Sequence, residues 1–303
     1  MDRRRSIRPR RTDSPDGSTH MWDIGVSTWV WTSPLTDDVL SVLAPRIRGW
    51  SFDVVELPVE NPGDWDPHRA AGLLAALGLK ATVCLVMPPG RDLVESDAVV
   101  ETQDYLRHVV DVAAVVGSGV AAGPAYSAVG RTWRIGHRPE VYAQLRANLA
   151  PVVEHAASKG VRIAVEPLNR YETSLINTVG QALEALDGLP EEGWGLALDT
   201  YHLNIEESSP VEAIRAAGAR IAHVQVCAND RGTPGRDHQD WPAVLRALAG
   251  AGYRGPLCIE SFTPDNAAIA TAASIWRPLA ESPDALAADG LAFLRGATAP
   301  FTG

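Results

Sequence analysis

The chain lacks most of the features that would announce a function at once. It holds three cysteines in 303 residues. Cys84, Cys227 and Cys258 are odd in number and each sits in an apolar run, which fits reduced thiols in a cytoplasmic protein better than a disulfide framework. Positive charge is scarce: 27 Lys and Arg against 37 Asp and Glu leave a net charge of -10. Without a basic stripe, nucleic acid is excluded as a partner. No apolar run approaches the roughly 20 residues that a membrane-spanning helix needs. No glycine-rich phosphate loop follows the first apolar run, where STWVWTSP stands instead, and this disfavours an open doubly wound sheet. Internal repeats, low-complexity tracts and interdomain linkers are also missing.

What remains is ordinary for a globular enzyme, with 46% hydrophobic and 21% charged residues. The first 20 residues, MDRRRSIRPRRTDSPDGSTH, differ from the rest. Six Arg against three Asp make this stretch +3, so the remainder carries -13 of the total -10. Such a polar segment cannot bury enough apolar surface to order itself, and residues 1–20 are read as a disordered basic tail. Its arginine pairs do not make an export signal, because no long apolar region with a small-residue cleavage site follows. It is read as dispensable, or as the product of a start codon upstream of Met21. Residues 21–303 are expected to form one domain, since α/β barrels exceed the usual domain length.

From Met21 onward short apolar runs alternate with longer stretches of helical periodicity. The runs are 22–27, 53–57, 80–86, 118–123, 161–166, 195–200, 221–226 and 256–261. Alternating βα units imply a parallel sheet, and eight of them predict a closed (β/α)8 barrel. In SPVE, Ser209 is a predicted N-cap, Pro210 the first helical residue and Glu212 the partner of a capping box. Gly160, Gly252 and Gly255 lie between helix and strand, where glycine ends helices. The last 40 residues read as two extra C-terminal helices.

Four of the later runs end in residues able to ligate a divalent metal: IAVEP (Glu166), GLALDT (Asp199), AHVQV (Gln225) and LCIES (Glu260). In a parallel barrel the C-terminal strand ends converge on the active site. Alternate strand residues face the same way, so His223 and Gln225 share a face, with Gln225 nearer the mouth and His223 one layer deeper. Three carboxylates and an amide oxygen make a hard, oxygen-rich site suited to Mn²⁺ first, with Mg²⁺ or Co²⁺ as alternatives, and unsuited to structural zinc. Any one carboxylate alone would read as a helix cap or surface pair. The three carboxylates crowded together would repel one another without a cation.

Around these residues the segments VEPLNRYET, LDTYHLNIEE, NDRGTPG and IESF, with WVWTSP, VVELPVE, TVC and AGPAYSAVG in the first half, resemble the D-tagatose 3-epimerase family. That family, which includes the D-allulose 3-epimerases, belongs to the xylose-isomerase-like barrels, and the resemblance runs from about Met21 to the C-terminus. It implies metal binding by Glu166, Asp199 and Glu260. It also implies proton transfer by Glu166 and Glu260 on opposite faces of a sugar, and contacts from Glu172, His202 and Arg231 to the ketose near C1 and C2. The family's fourth metal position is histidine. Gln225 occupies it here, as glutamine does in hydroxypyruvate isomerases of the same superfamily. Ala228 departs from the acidic or polar residue often found before the NDR-like segment.

The chemistry agrees with those parts. A proton on carbon beside a carbonyl is weakly acidic, and a metal that binds the neighbouring oxygens stabilises the enediolate left behind. Two carboxylates can then serve as general base and general acid. Two-sided transfer at one carbon epimerises, and transfer between adjacent carbons isomerises. The leading expectation is C3 epimerisation of a free ketose. The rivals are an isomerase of a small hydroxy-aldehyde or keto acid, a keto-glycoside lyase or deglycosidase, and a non-catalytic barrel subunit. An endonuclease IV-like role is disfavoured, because it needs a histidine-rich zinc site and a basic groove. The implied partner is a small sugar, and a homodimer or homotetramer is expected by analogy.

Several other residues carry lesser expectations: Glu56 as a supporting residue at the barrel mouth, Glu60 as a solvated charge, and Cys84 lining the interior. Trp29, Trp31 and Trp133 are read as core or interface residues at least as readily as sugar platforms. His238 and Asp240 are read as shaping a loop.

Overall fold

The computed structural model describes residues 20–95, 97–132 and 138–302. Among them eight strands close into a parallel barrel in chain order: β1 (Ile24–Ser27), β2 (Val54–Val59), β3 (Lys80–Leu85), β4 (Val120–Gly123), β5 (Arg162–Val165), β6 (Trp194–Asp199), β7 (Ile221–Val226) and β8 (Leu257–Ile259), with β1 pairing β8. Parallel strands are covered on both faces, which is why these runs are almost continuously apolar rather than alternating. The segments between them form the outer helices, and their apolar faces and the outward strand residues make one continuous core. The predicted strand positions hold. Thr200 is the informative exception: Asp199 caps a helix there, so the chain turns helical one residue earlier than its apolar pattern suggests.

Register fixes which side chains share the barrel interior. Gly25 lies opposite Val54 and Cys258, Glu56 opposite Ser27 and Thr82, Cys84 opposite Ala122, and Ala122 opposite Ala164. Since Cβ atoms alternate along a strand, the inward set includes Glu56, Thr82, Ala164, Ala197, His223, Gln225 and Cys258. A register shift between β6 and β7 at Leu196/Ala197 brings Asp199 directly beside Gln225.

The helix ends behave largely as read. Ser209 Oγ accepts from Glu212 N, but the Glu212 carboxylate turns to Arg215, so only half of the predicted capping box forms. The complete box is at Thr178 and Gln181. Gly160 and Gly252 close helices with φ of 68° and 78°, a conformation glycine reaches without a Cβ penalty. Two C-terminal helices, Ala267–Ala272 and Pro283–Thr298, follow the barrel. Residues 1–19 lie outside the described residues. His20, placed in the tail by its sequence, instead forms an antiparallel bridge with Thr302.

Candidate active site

Glu166 immediately follows β5, Asp199 ends β6, Gln225 is the penultimate residue of β7, and Glu260 follows β8. Their backbones are pinned to the sheet: Glu166 N donates to Gly123 O at 3.0 Å and Glu260 N to Val226 O at 3.2 Å. The four residues are only 6%, 1%, 1% and 4% exposed. The structure therefore gathers the predicted ligand positions at one end of the barrel and takes them out of water.

Asp199 divides its two oxygens. Oδ1 caps the helix Thr200–Glu206 by accepting from Tyr201 N at 2.9 Å, and also accepts from Cys227 Sγ at 3.5 Å. Oδ2 is buried with no hydrogen-bond partner. Capping starts the helix at once, which carries His202 back over the strand ends. There, His202 Nε2 lies 3.5 Å from Glu166 Oε1 and 3.7 Å from Asp199 Oδ2.

His202 Nδ1 accepts from the backbone N–H of Asn169 at 2.8 Å. A neutral ring that accepts at Nδ1 carries its hydrogen on Nε2, so Nε2 points a donor into the site. Burial, reinforced by Arg231, drives the His202 pKa well below the usual histidine value and keeps the ring neutral. Asn169 also gives its side-chain amide to Glu172 Oε1 at 2.8 Å. One asparagine thus orients two of the three predicted substrate residues.

Arg231 completes the cluster. It sits in a tight loop closed by Ala228 N donating to Gly232 O and Arg231 N donating to Ala228 O, and Ala228 is buried as part of that turn. The loop holds Arg231 at φ +65°, a left-handed conformation costing roughly 1–2 kcal/mol for a residue with a Cβ. Its guanidinium lies between the Tyr201 ring (4.1 Å) and the Phe262 ring (5.0 Å), an attractive arrangement for a desolvated cation. It reaches Glu172 at 3.0 Å, Glu260 at 3.2 Å and Asp199 at 3.5 Å.

Burial pushes the carboxyl pKa values of Glu166 and Glu260 well above the ordinary range, and repulsion from Asp199 adds to it. Burial also raises Asp199, against the pull of Arg231. Burial alone would lower Arg231, but Glu172, Asp199 and Glu260 together hold it above its usual value. Glu166, Asp199, Glu260 and Glu172 face a single guanidinium, so the cluster is short of positive charge.

That shortage makes the site suitable for a cation, and two buried acceptors without a hydrogen bond add to it. Asp199 Oδ2 and Gln225 Oε1 are both buried without a hydrogen-bond partner. Such atoms carry a desolvation cost unless something accepts their lone pairs. Glu166, Asp199 and His202 together bring three ligand atoms within 4.8 Å of one another. His202 is a poor ligand, because its Nδ1 already accepts a hydrogen bond and its Nε2 keeps its hydrogen. Glu166, Asp199, Gln225 and Glu260 fit a hard divalent ion better.

The remaining residues singled out in the sequence divide. Glu56 is not at the mouth but fully buried mid-barrel, where it accepts from Gln225 Nε2 at 3.0 Å and pairs with His223. Glu60 is not a free surface charge, since Trp29 Nε1 and Ser33 Oγ both donate to it. Trp29 packs on Phe262, and Trp31 stacks on Trp50. Trp133 lies outside the described residues. Asp240 caps the helix Trp241–Gly250, a loop role of the kind anticipated for it. All three cysteines are free and buried. Asn169, Tyr201 and Phe262 were not picked out by sequence reasoning, although each stands inside one of the quoted segments.

Comparison with known proteins is consistent with this geometry. The xylose isomerase-like TIM barrel family model matches residues 46–297. A probable ketose 3-epimerase of Synechocystis sp. is 33% identical over 89% of this chain and 95% of its own. A ketose 3-epimerase of Arthrobacter globiformis is 33% identical over 90% and 95%. A solved L-ribulose 3-epimerase superposes with a TM-score of 0.86 at 29% identity, covering 92% of this chain and 95% of that one. With barrel, strand-end acids and sequence in agreement, the chain belongs to the ketose 3-epimerase family of xylose isomerase-like TIM barrels.

Proposed function

We propose that this protein epimerises a free ketose at C3, with Glu166 and Glu260 as the proton-transferring pair and Glu166, Asp199, Gln225 and Glu260 as the holders of a divalent ion, Mn²⁺ foremost. The observation that carries this reading is the buried ring of four oxygen donors on four successive strand ends, two of which keep an oxygen without a hydrogen-bond partner. The names of its relatives, ketose and L-ribulose 3-epimerases, support the choice of substrate class and carbon.

A divalent ion in this ring would supply Lewis-acid stabilisation of the negative charge that develops on the substrate oxygens. The protein's own groups do the rest. One glutamate removes the C3 proton from its face of the sugar, and the electron pair spreads over C2, C3 and the C2 oxygen. The other glutamate returns a proton to C3 from the opposite face. One proton leaves and one arrives at the same carbon, so the ketose is neither oxidised nor reduced. Burial and mutual repulsion raise both carboxyl groups in the metal-free site, so each holds a proton more readily than a surface glutamate does. His202, neutral and with its hydrogen on Nε2, donates to a substrate oxygen without surrendering a proton. Arg231 and Glu172 fix the hydroxyl end of the same region, and their ion pair holds each in place before substrate arrives.

Gln225 favours one alternative, an isomerase of a hydroxypyruvate-type substrate. One experiment separates the two. The purified protein, loaded with Mn²⁺, is incubated in D₂O with a panel of ketoses and hydroxypyruvate and followed by NMR. Deuterium at C3 with formation of the C3 epimer supports the proposal. Carbonyl migration, or loss of a leaving group, replaces it.

A further inference from the structure

Beneath the ring of strand-end ligands lies a second polar layer that the reaction does not touch. Glu56 from β2 and His223 from β7 are wholly buried, 0% exposed each. His223 Nε2 meets Glu56 Oε2 at 2.5 Å, and Thr82 Oγ1 donates to the same oxygen at 3.4 Å. The other oxygen, Glu56 Oε1, accepts from Gln225 Nε2 at 3.0 Å. That amide nitrogen also donates to Glu260 Oε1 at 2.6 Å. Gln225 Oε1 is left buried and unpartnered.

We infer that Glu56, backed by His223, is a positioning residue that locks the Gln225 side-chain amide with its carbonyl oxygen facing the ion and its NH₂ group holding Glu260. The inference rests on the ion site proposed above and adds a requirement peculiar to glutamine. An amide has two nearly isosteric ends, one of which can ligate a cation while the other cannot. Something must choose between them. Glu56 Oε1 and Glu260 Oε1 both accept from the NH₂ group, and the reversed rotamer would press a carbonyl oxygen against two carboxyl oxygens. His223 holds Glu56 Oε2, so Oε1 is the oxygen turned toward Gln225. The chain of contacts runs His223 to Glu56 to Gln225, and Gln225 then serves two ligands at once, itself and Glu260. Outer partners of this kind commonly set ligand orientation and metal affinity.

The test is a double-mutant cycle read by metal binding as well as activity. Mn²⁺ affinity is measured by titration calorimetry and electron paramagnetic resonance on metal-stripped wild type, Glu56→Gln, Gln225→Ala and the double variant. Glu56→Gln is expected to weaken Mn²⁺ by about 10–100-fold, the usual range for such outer partners. In the Gln225→Ala background the same change is expected to cost less than about twofold, because there is no amide left to orient. Equal losses in both backgrounds would mean that Glu56 acts on the ion by its charge alone, and the inference falls. Unaltered binding in Glu56→Gln would end it as well. If wild type takes up no Mn²⁺, it is the ion site that fails rather than the link to Glu56. Two ions per chain would overturn the inference differently: Glu56, His223 and Cys258 also lie within ligand reach of one another, and they would then be a second metal site. Should Glu56→Gln not fold, Glu56→Asp keeps the charge and withdraws the acceptor by one methylene, and the same cycle is run with it.

Discussion

The two halves of the barrel are built alike and equipped differently. β5 to β8 deliver Glu166, Asp199, Gln225 and Glu260 to their C-terminal ends. β1 to β4 present Gly25, Ser27, Thr82, Cys84 and Ala122 to the interior, and their one inward acid among the described residues is Glu56, from the middle of its strand. The contrast is instructive. In the reaction proposed above, the second half would supply the proton-transferring groups and hold the ion, while the first half would compete for neither. The first half contributes shape and support, and the second half contributes charge.

Four measurements probe the contrast between the two halves. Chelation should have the largest effect, abolishing turnover, with Mn²⁺ or Co²⁺ restoring it. Full activity in metal-free protein, measured after exhaustive dialysis and elemental analysis, would show that the charged half works without a cation. Next, Glu260→Gln should lower kcat by about 10²–10⁴-fold, the usual worth of a positioned acid–base group. Undiminished deuterium exchange at C3 in that variant would remove Glu260 from the chemistry.

The third point lies on the supporting wall. At Gly123, φ is +146° and an added Cβ would stand 2.4 Å from Leu85 O. Gly123→Ala should therefore destabilise the fold by roughly 1–3 kcal/mol, read by urea denaturation. Wild-type stability there would mean that β3 and β4 can part more easily than their packing implies.

The smallest expected effect is a slope with pH. Glu166, Asp199 and Glu260 have folded-state pKa values raised above their unfolded ones. The folded metal-free protein therefore holds more protons than the unfolded chain between the two values, and its stability declines as pH rises through that window. An ion competes with those protons. The gain in Tm on adding Mn²⁺ should therefore grow from about pH 5 to about pH 8. A gain that is flat or shrinks over that range would place the ion away from these carboxyls.

Much of this was legible in the chain itself. Eight apolar runs separated by helical periodicity specify the barrel, and a polar residue at the end of four of them marks the mouth, because strand ends in a parallel barrel must meet. Other parts were not legible, for identifiable reasons. Glu56 is 167 residues from His223 and 169 from Gln225, and no local spacing rule connects β2 to β7. The resemblance marks Arg231 as a substrate contact, but nothing local in NDRGTPG predicts its seat between the Tyr201 and Phe262 rings. The box at Thr178 and Gln181 obeyed a known local pattern and was outshone by the proline-bearing SPVE. Glu60 shows the opposite error, a charge assigned to solvent that tertiary contact recruits.

Asp199 carries a consequence beyond the reaction. Because one of its oxygens starts a helix while the other faces the acidic cluster, architecture and the proposed ion site share a single residue. Replacement by alanine would remove the cap, worth about 0.5–2 kcal/mol, together with one oxygen of the proposed ion site. A lineage that abandoned the chemistry would still be under pressure to keep an oxygen there. Asparagine is the economical escape, since it retains the cap's acceptor while discarding the charge. An Asp199→Asn change would therefore leave the helix start standing while it takes one negative charge out of the cluster.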